Sequence, residues 1–268
     1  MVRYNEKTEN IKSTNPLCGI AMAPTRVSGS LAMTYEDIVR ECDIMSNVIS
    51  KEVTCPKCNH TQGAHLYISI NASNDPQFKK ALLSGKILQY RCDSCGYEAR
   101  YTYPLLYNDM KRRFMVYLIP QIDRFQLEDR ALEDDYRNLK GIRKRITSDF
   151  NSMKEKIFIF ESGLDDMAVE LTKYAISEMV AKKLDLGRVS EGYLTMYNRE
   201  TNTIGFTYFV GEEAEPFVQS ARLEIYQKSL KIVEAICAND KKLSGFIKID
   251  REWAENTLFR YKRVKSGR

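Results

Sequence analysis

The chain has 268 residues, of which 43% are apolar and 29% charged, as is ordinary for a globular protein. The net charge of +5, from 41 basic and 36 acidic residues, falls short of the basic stripe typical of a dedicated nucleic-acid-binding protein. No apolar stretch approaches the ~20 residues of a membrane-spanning helix, and the polar N-terminus lacks the apolar core of a signal peptide. These features exclude an integral membrane protein and predict a cytoplasmic one.

The N-terminal half begins with a polar stretch and continues with a mixture of helical and strand patterns. Residues 1–33 carry no hydrophobic period and predict a flexible leader. A capping box that begins at Thr34 predicts a helix over residues 35–49. A second helix begins at Asp75–Pro76 and ends at Gly85. Strand patterns follow one another over residues 65–70, 87–91, 97–103 and 114–119.

The C-terminal half is predicted to be mainly helical around one β-hairpin. A charged connector covers residues 124–135, and a strand follows over residues 142–147. Ser148 is expected to cap a helix that runs to Phe160, and Gly163 to separate it from a longer helix. Two β-rich runs on either side of residues 198–202 predict a hairpin. The remaining helical patterns cover residues 164–186, 216–238 and 250–261.

Two Cys-x-x-Cys pairs, separated by 33 residues, are the most specific motif in the chain. The pairs are Cys55 with Cys58 and Cys92 with Cys95. Two residues between paired cysteines let both thiolates reach one ion from a single tight turn, and four thiolates form a closed, structural tetrahedron. In a reducing compartment such pairs predict a metal site before they predict disulfides. We expect zinc, with iron as the less common occupant.

The residues around these pairs resemble a known family. The stretch from Val53 to about Pro120, which contains TCPKC and RCDSC, resembles the CpXC family, a group of prokaryotic proteins named for paired cysteine motifs. Residues 153–171 resemble the region that commonly follows in these proteins. Asp93 stands where the family usually has proline, while all four sulfurs are kept. The resemblance implies a zinc-binding domain and supplies no activity.

Aromatic and cationic side chains interleave around the second cysteine pair. Such a face on a sheet can stack bases and hold phosphates, which predicts nucleic-acid binding as an alternative function. Half-buried tyrosines beside solvated arginines would give the same pattern. Basic runs at residues 137–145 and 260–268 would add electrostatic attraction. The candidate contact residues are Tyr90, Arg91, Tyr97, Arg100, Tyr101, Tyr103, Lys111, Arg112 and Arg113.

The other chemically capable residues favour structural roles. His60 and His65 lie near the first cysteine pair, where four better ligands are present. Asp165 and Asp166 stand at a helix start, where carboxylates serve the cap and the helix dipole. The sequence shows no phosphate-binding loop, nucleophile elbow or metalloprotease motif. An enzymatic activity therefore has no positive support.

Together these patterns predict an α+β protein. A zinc-ribbon-like antiparallel N-terminal domain would be followed by a helical and β-hairpin C-terminal domain. The expected limits are a leader at 1–33, a zinc-binding domain at 34–121, a connector at 122–147 and a C-terminal domain at 148–268. The leading functional hypothesis is a non-enzymatic, zinc-stabilised module that binds another protein. Nucleic-acid binding and redox or zinc sensing are the alternatives.

Overall fold

The structure of the protein is a computed structural model that describes residues 46–120, 141–183, 189–210, 215–238 and 245–267. The predicted leader and residues 122–140 of the predicted connector lie outside these residues, whereas residues 143–147 of that connector form a strand. Contacts divide the chain into two compact units, Met1–Met115 and Val116–Arg268. Five α-helices and several sheets in the described ranges confirm the α+β class. In the same ranges no helix is both long enough and apolar enough to cross a bilayer.

Unit 1 contains a larger sheet and a separate short hairpin. In the larger sheet the neighbour order is β1-β2-β5-β6, and the division between the units falls inside β6. Strands β3 and β4 form a two-stranded sheet of their own. The elements are β1 (Asn47–Thr54), β2 (Thr61–Asn71), α1 (Pro76–Leu83), a 3₁₀ turn (Lys86–Leu88), β3 (Gln89–Arg91), β4 (Glu98–Arg100), β5 (Leu105–Asp109) and β6 (Phe114–Leu118).

The expectation of a wholly antiparallel N-terminal domain is wrong at one strand pair. Strands β1 and β2 pair antiparallel, as do β3 and β4, but β2 and β5 run parallel. A parallel pair needs a long crossover between its strands. Residues 72–104 supply it, because α1 and the β3/β4 hairpin both lie between β2 and β5 in the chain.

Several N-terminal boundaries differ from those expected. The predicted helix over residues 35–49 is wrong at its end, since residues 47–49 belong to β1. The predicted strand over residues 97–103 is limited to β4, and the one over 87–91 begins as the 3₁₀ turn. The helix at Pro76 is confirmed, and Gly85 follows it with a left-handed φ of 75°.

Unit 2 combines helices with a three-stranded antiparallel sheet of order β10-β9-β8. The predicted hairpin is confirmed, because Asn198 of β8 pairs with Thr203 of β9. The predicted helix over residues 216–238 is wrong at its start, where β10 forms. The elements are β7 (Arg143–Thr147), α2 (Phe150–Glu161), α3 (Asp166–Lys183), β8 (Glu191–Asn198), β9 (Thr203–Phe209), β10 (Phe217–Arg222), α4 (Glu224–Cys237) and α5 (Arg251–Ser266).

Carboxylates cap the N-termini of α2 and α3 in unit 2. Helix α2 is capped by Asp149 and not by Ser148, since the Ser152 N–H donates to Asp149 Oδ1 at 2.8 Å. At the start of α3 the Ala168 N–H donates to Asp165 Oδ1 at 2.9 Å. Asp165 therefore has the expected capping contact, which leaves Asp166 available for a different partner.

A buried ion-pair network ties β7 to the two following helices. The Arg145 guanidinium binds both carboxylate oxygens of Asp166, at 2.7 and 2.8 Å, and Lys156 Nζ lies 3.2 Å from the same carboxylate. All three side chains are almost completely buried. The expectation that the basic run at residues 137–145 adds electrostatic attraction for nucleic acid is therefore wrong at Lys144 and Arg145, which are 1% and 4% exposed.

Replacing Asp166 with asparagine is expected to lower the free energy of unfolding by about 3–5 kcal/mol, because it leaves Arg145 and Lys156 buried without their counter-charge. Burial favours a raised pKa for Asp166, but Arg145 and Lys156 hold that pKa well below its usual range. The stabilisation is thus present above pH ~4 and lost as the pH falls further. Urea unfolding as a function of pH measures both effects.

The matched control is Asp165→Asn, since asparagine also caps helices and Asp165 has no place in the network. Burial raises the pKa of Asp165, so that removing its charge costs the folded state little. A change below about 1 kcal/mol is expected for this variant. Equal destabilisation by the two substitutions would contradict the role given to Asp166.

Candidate metal centre

Each cysteine pair lies in the loop of an antiparallel hairpin. Residues 55–60 join β1 to β2 after the pair Thr54–Thr61, and residues 92–97 join β3 to β4 after the pair Arg91–Glu98. The two hairpins therefore present their loops, rather than their strands, to the same point. Each loop contributes both of its cysteines.

The two loops have matching backbone geometry. In the first, the Cys55 N–H donates to the His60 carbonyl and the Asn59 N–H donates to the Cys55 carbonyl. In the second, the Cys92 N–H donates to the Tyr97 carbonyl and the Gly96 N–H to the Cys92 carbonyl. The fifth residue of each turn is left-handed, with φ of 58° at Asn59 and 68° at Gly96. Asparagine and glycine are the residues that adopt this conformation most readily.

The four sulfur atoms form one compact group, within 4.8 Å of one another. Cys55 Sγ lies 3.7 Å from Cys95 Sγ, and Cys58 Sγ lies 3.6 Å from Cys92 Sγ. A tetrahedral Zn²⁺ with Zn–S bonds of about 2.3 Å places its sulfurs about 3.8 Å apart. The donor set and its dimensions therefore fit a metal ion held by four thiolates.

The environment of the sulfurs favours a first thiolate at Cys92. Burial raises the pKa of Cys92, but the backbone N–H groups of Cys95 and Ser94 and the neighbouring thiols lower it to about 6. The Tyr97 N–H lowers the pKa of Cys95, yet burial and the other three thiols raise it to about 12. Four thiols at this spacing resist full ionisation unless a cation compensates their charge.

A small apolar cluster packs against one side of the sulfur group. Val53, Cys55, Tyr90 and Cys92 are buried together, with Cys95 and several partly buried side chains packed against them. Cys58 is exposed and Cys95 only partly covered. Cys55 and Cys92 are thus buried in the apolar cluster, while Cys58 and part of Cys95 remain open to solvent.

A glutamine that the sequence interpretation missed connects the two hairpins. Gln62 of β2 donates through Nε2 to the Arg91 carbonyl at 2.9 Å and accepts from the Asp93 N–H at 2.8 Å. Proline at position 93 has no N–H and would remove the second bond. Asp93, which stands where proline is usual in the motif, therefore makes a hydrogen bond that proline could not make. In the sequence, the absence of proline at position 93 marked this position, but nothing indicated Gln62 as its partner.

The comparison with known families agrees with this geometry. A family model described as CpXC protein matches residues 53–173, somewhat less than half of the chain. Residues 53–173 are thus similar to the CpXC family. No curated protein and no solved structure matches the chain significantly. The family assignment and the four-cysteine group are therefore the two findings that bear on function.

Within the CpXC segment, the structure separates the aromatic from the cationic residues of the predicted nucleic-acid face. Tyr90 pairs with Ala99 on the covered side of the β3/β4 hairpin, and its side chain is 5% exposed. Arg91 and Arg100 lie on the exposed side, where Arg91 is 3.8 Å from Glu98. The interleaving in sequence is thus the alternation of strands, which assigns successive side chains to opposite faces.

The other predicted contact residues of the CpXC segment are also divided. Tyr103 is buried, and its hydroxyl donates to the Ile87 carbonyl; Tyr97 and Tyr101 pack beside the sulfur cluster. Lys111, Arg112 and Arg113 are exposed in the turn before β6, where Arg112 pairs with Asp109 at 2.7 Å. The described geometry offers cations for phosphates but buries Tyr90 and Tyr103, which base stacking would need exposed.

If the four cysteines bind a metal ion, replacing Gln62 with alanine is expected to weaken that binding by about tenfold, as is typical when a residue that orients metal ligands is lost. The overall fold of unit 1 should persist, because no sulfur is removed. Competition with a chromophoric chelator measures the affinity. Gln89→Ala, which removes another exposed glutamine beside the same loop, is the control, and equal affinity of the two variants would contradict the role of Gln62.

Proposed function

We propose that the CpXC segment binds one structural Zn²⁺ through Cys55, Cys58, Cys92 and Cys95. In this proposal the protein is a cytoplasmic, zinc-stabilised module for binding another protein. The observation that carries it is the spacing of the four sulfurs, which fits the tetrahedral shell of a single ion. Two hairpin loops that share one ion would form the zinc-ribbon-like arrangement that the sequence predicts.

A closed shell of four thiolates assigns the metal a structural role. Catalytic zinc keeps one coordination position for water or substrate, and four protein sulfurs leave none. Iron in a rubredoxin-type site uses the same ligands, and we propose zinc because it is the commoner occupant of such sites. The metal then acts by fixing the loops and the surface that they carry.

Exposed apolar residues in unit 2 support a protein partner. Phe259 and Val264 on α5 are 62% and 54% exposed, and Val218 on the edge strand β10 is 63% exposed. Aromatic and aliphatic side chains of this kind are common anchors in protein interfaces, and an edge strand offers backbone hydrogen bonds to an added strand. These residues give the proposal a surface that substitution can test.

The variants Cys58→Ser and Cys95→Ser are expected to lose the metal and to unfold the hairpins of unit 1. Structural zinc contributes on the order of 10 kcal/mol to the folding of small modules. Metal analysis of the purified full chain gives the stoichiometry and the identity of the ion, and a red protein would indicate iron. Cys237→Ser, which alters a buried cysteine of unit 2, should keep one ion per chain. Full metal content in either Cys58→Ser or Cys95→Ser would contradict the proposed site.

The interaction role needs a separate test. A tagged full-length chain should retain a partner that Phe259→Asp loses while its metal content stays the same. Lys262→Asp, which alters an exposed side chain on the same helix, should keep the partner. Loss of the partner with both variants would indicate a general charge effect. Retention of the partner with both would remove the Phe259 surface from the proposal.

Nucleic-acid binding and redox sensing stay predictions. Titration with single-stranded and duplex oligonucleotides at two salt concentrations tests the first, because phosphate contacts weaken steeply with salt. Peroxide treatment followed by metal analysis tests the second, since oxidised thiols release zinc. Missing affinity at low salt, or metal retained after oxidation, would remove the respective alternative.

A further inference from the structure

A cavity of about 300 Å³ lies inside unit 2. Its wall is formed by the end of β7, the first turns of α2, one face of α3, the start of β8 and residues 248–251. On α3 the lining residues are Glu170, Lys173, Tyr174 and Ser177, whose spacing places them on one face of the helix. The volume is that of a site for a small molecule.

The deep part of this cavity is lined by buried charges. Glu155 and Lys156 of α2 and Glu170 of α3 are at most 5% exposed. Replacing buried ion pairs with apolar side chains of similar volume is commonly neutral or stabilising, so packing alone does not require them. Ionisable groups gathered in a cleft are therefore candidates for ligand recognition.

The cations around the cavity are already paired with carboxylates. Lys173 Nζ lies 3.0 Å from both Glu155 and Glu170, and Lys156 is held by Asp166. At the rim Lys248 lies 3.1 Å from Asp250, and Arg251 bonds Glu178 and Glu255. Each cation thus has an internal partner, and an anionic ligand would have to compete with it.

The two helix N-termini at the cavity are likewise occupied. Asp149 accepts the Ser152 N–H at the start of α2, and Asp250 accepts the Trp253 N–H at the start of α5. A free helix N-terminus is a site for anions, but here the protein's own carboxylates take that place. Backbone donors at these ends therefore do not favour an anionic ligand.

Two lining carboxylates have no cationic partner among the described residues. The contacts of Asp149 are with the N–H and hydroxyl of Ser152, and Glu191 accepts a hydrogen bond from the Tyr193 hydroxyl at 2.9 Å. Burial raises the pKa of Tyr193, and the nearby charges of Asp149 and Glu191 raise it further. The lining contains five carboxylates and four cations, so that it has a net negative charge beside an aromatic ring.

We propose that this cavity of unit 2 binds a small organic cation, a primary amine or a guanidinium compound. Asp149 and Glu191 supply the counter-charge, and the ring of Tyr193, whose centroid is 6.0 Å from Lys173 Nζ, supplies an aromatic surface. Carboxylates beside an aromatic ring are the groups that recognise ammonium and guanidinium ions. This site is independent of the metal centre.

Calorimetric titration of the full chain with agmatine at 0.15 M salt tests the proposal. We expect one-to-one binding that Glu191→Gln and Asp149→Asn each weaken by about tenfold. Both variants keep hydrogen-bonding side chains, and asparagine also caps a helix, so that folding is preserved. Glu234→Gln, which removes an exposed carboxylate on α4 outside the cavity lining, should bind as the wild type does.

Comparison of butylamine with butyrate separates charge from size. Butylamine should bind and butyrate should not; the reverse preference would overturn the proposal. Absence of agmatine binding, or binding that all three carboxylate variants weaken equally, would overturn it as well.

Discussion

The meeting of four sulfur atoms is the contact on which the arrangement of unit 1 depends. Strands β3 and β4 have three residues each, and a two-stranded hairpin of that size is marginal by itself. Its attachment to the β1/β2 hairpin includes the sulfur group, the small apolar cluster beside it and the side chain of Gln62. The thiols at this distance repel one another once ionised, and a bound cation would replace that repulsion with attraction.

Local patterns allowed the grouping of the four cysteines and several elements to be predicted from sequence. The Cys-x-x-Cys spacing defines a turn within four residues, and the β8/β9 hairpin shows two β-rich runs around a polar turn. Strand β5 was missed because all five of its residues are buried, which removes the alternation by which a strand is recognised. Strand β10 follows Pro216, whose position suggested a helix start, and its extended form is set by pairing with β9.

Interactions between distant residues could not be predicted in this way. Arg145 and Asp166 are 21 residues apart, and nothing in the basic run containing Arg145 indicates a buried acid as its partner. The Tyr/Arg mixture near the second cysteine pair gave the opposite error. Its members are neighbours in sequence but point to opposite sides of a strand. The roles of the charged residues in this chain can be assigned only when the pairing of its helices and strands is known.

The contrast between Pro56 and Asp93 has a thermodynamic consequence. Proline restricts the unfolded chain, so that the first loop loses little conformational freedom when it closes around a metal. The second loop lacks this restriction and is held by a hydrogen bond that the Asp93 N–H donates to Gln62, which exists only when the two hairpins are already side by side. The first loop is therefore restricted by its own covalent structure, and the second is organised by its neighbour. Closure of the second loop is thereby coupled to the docking of the two hairpins.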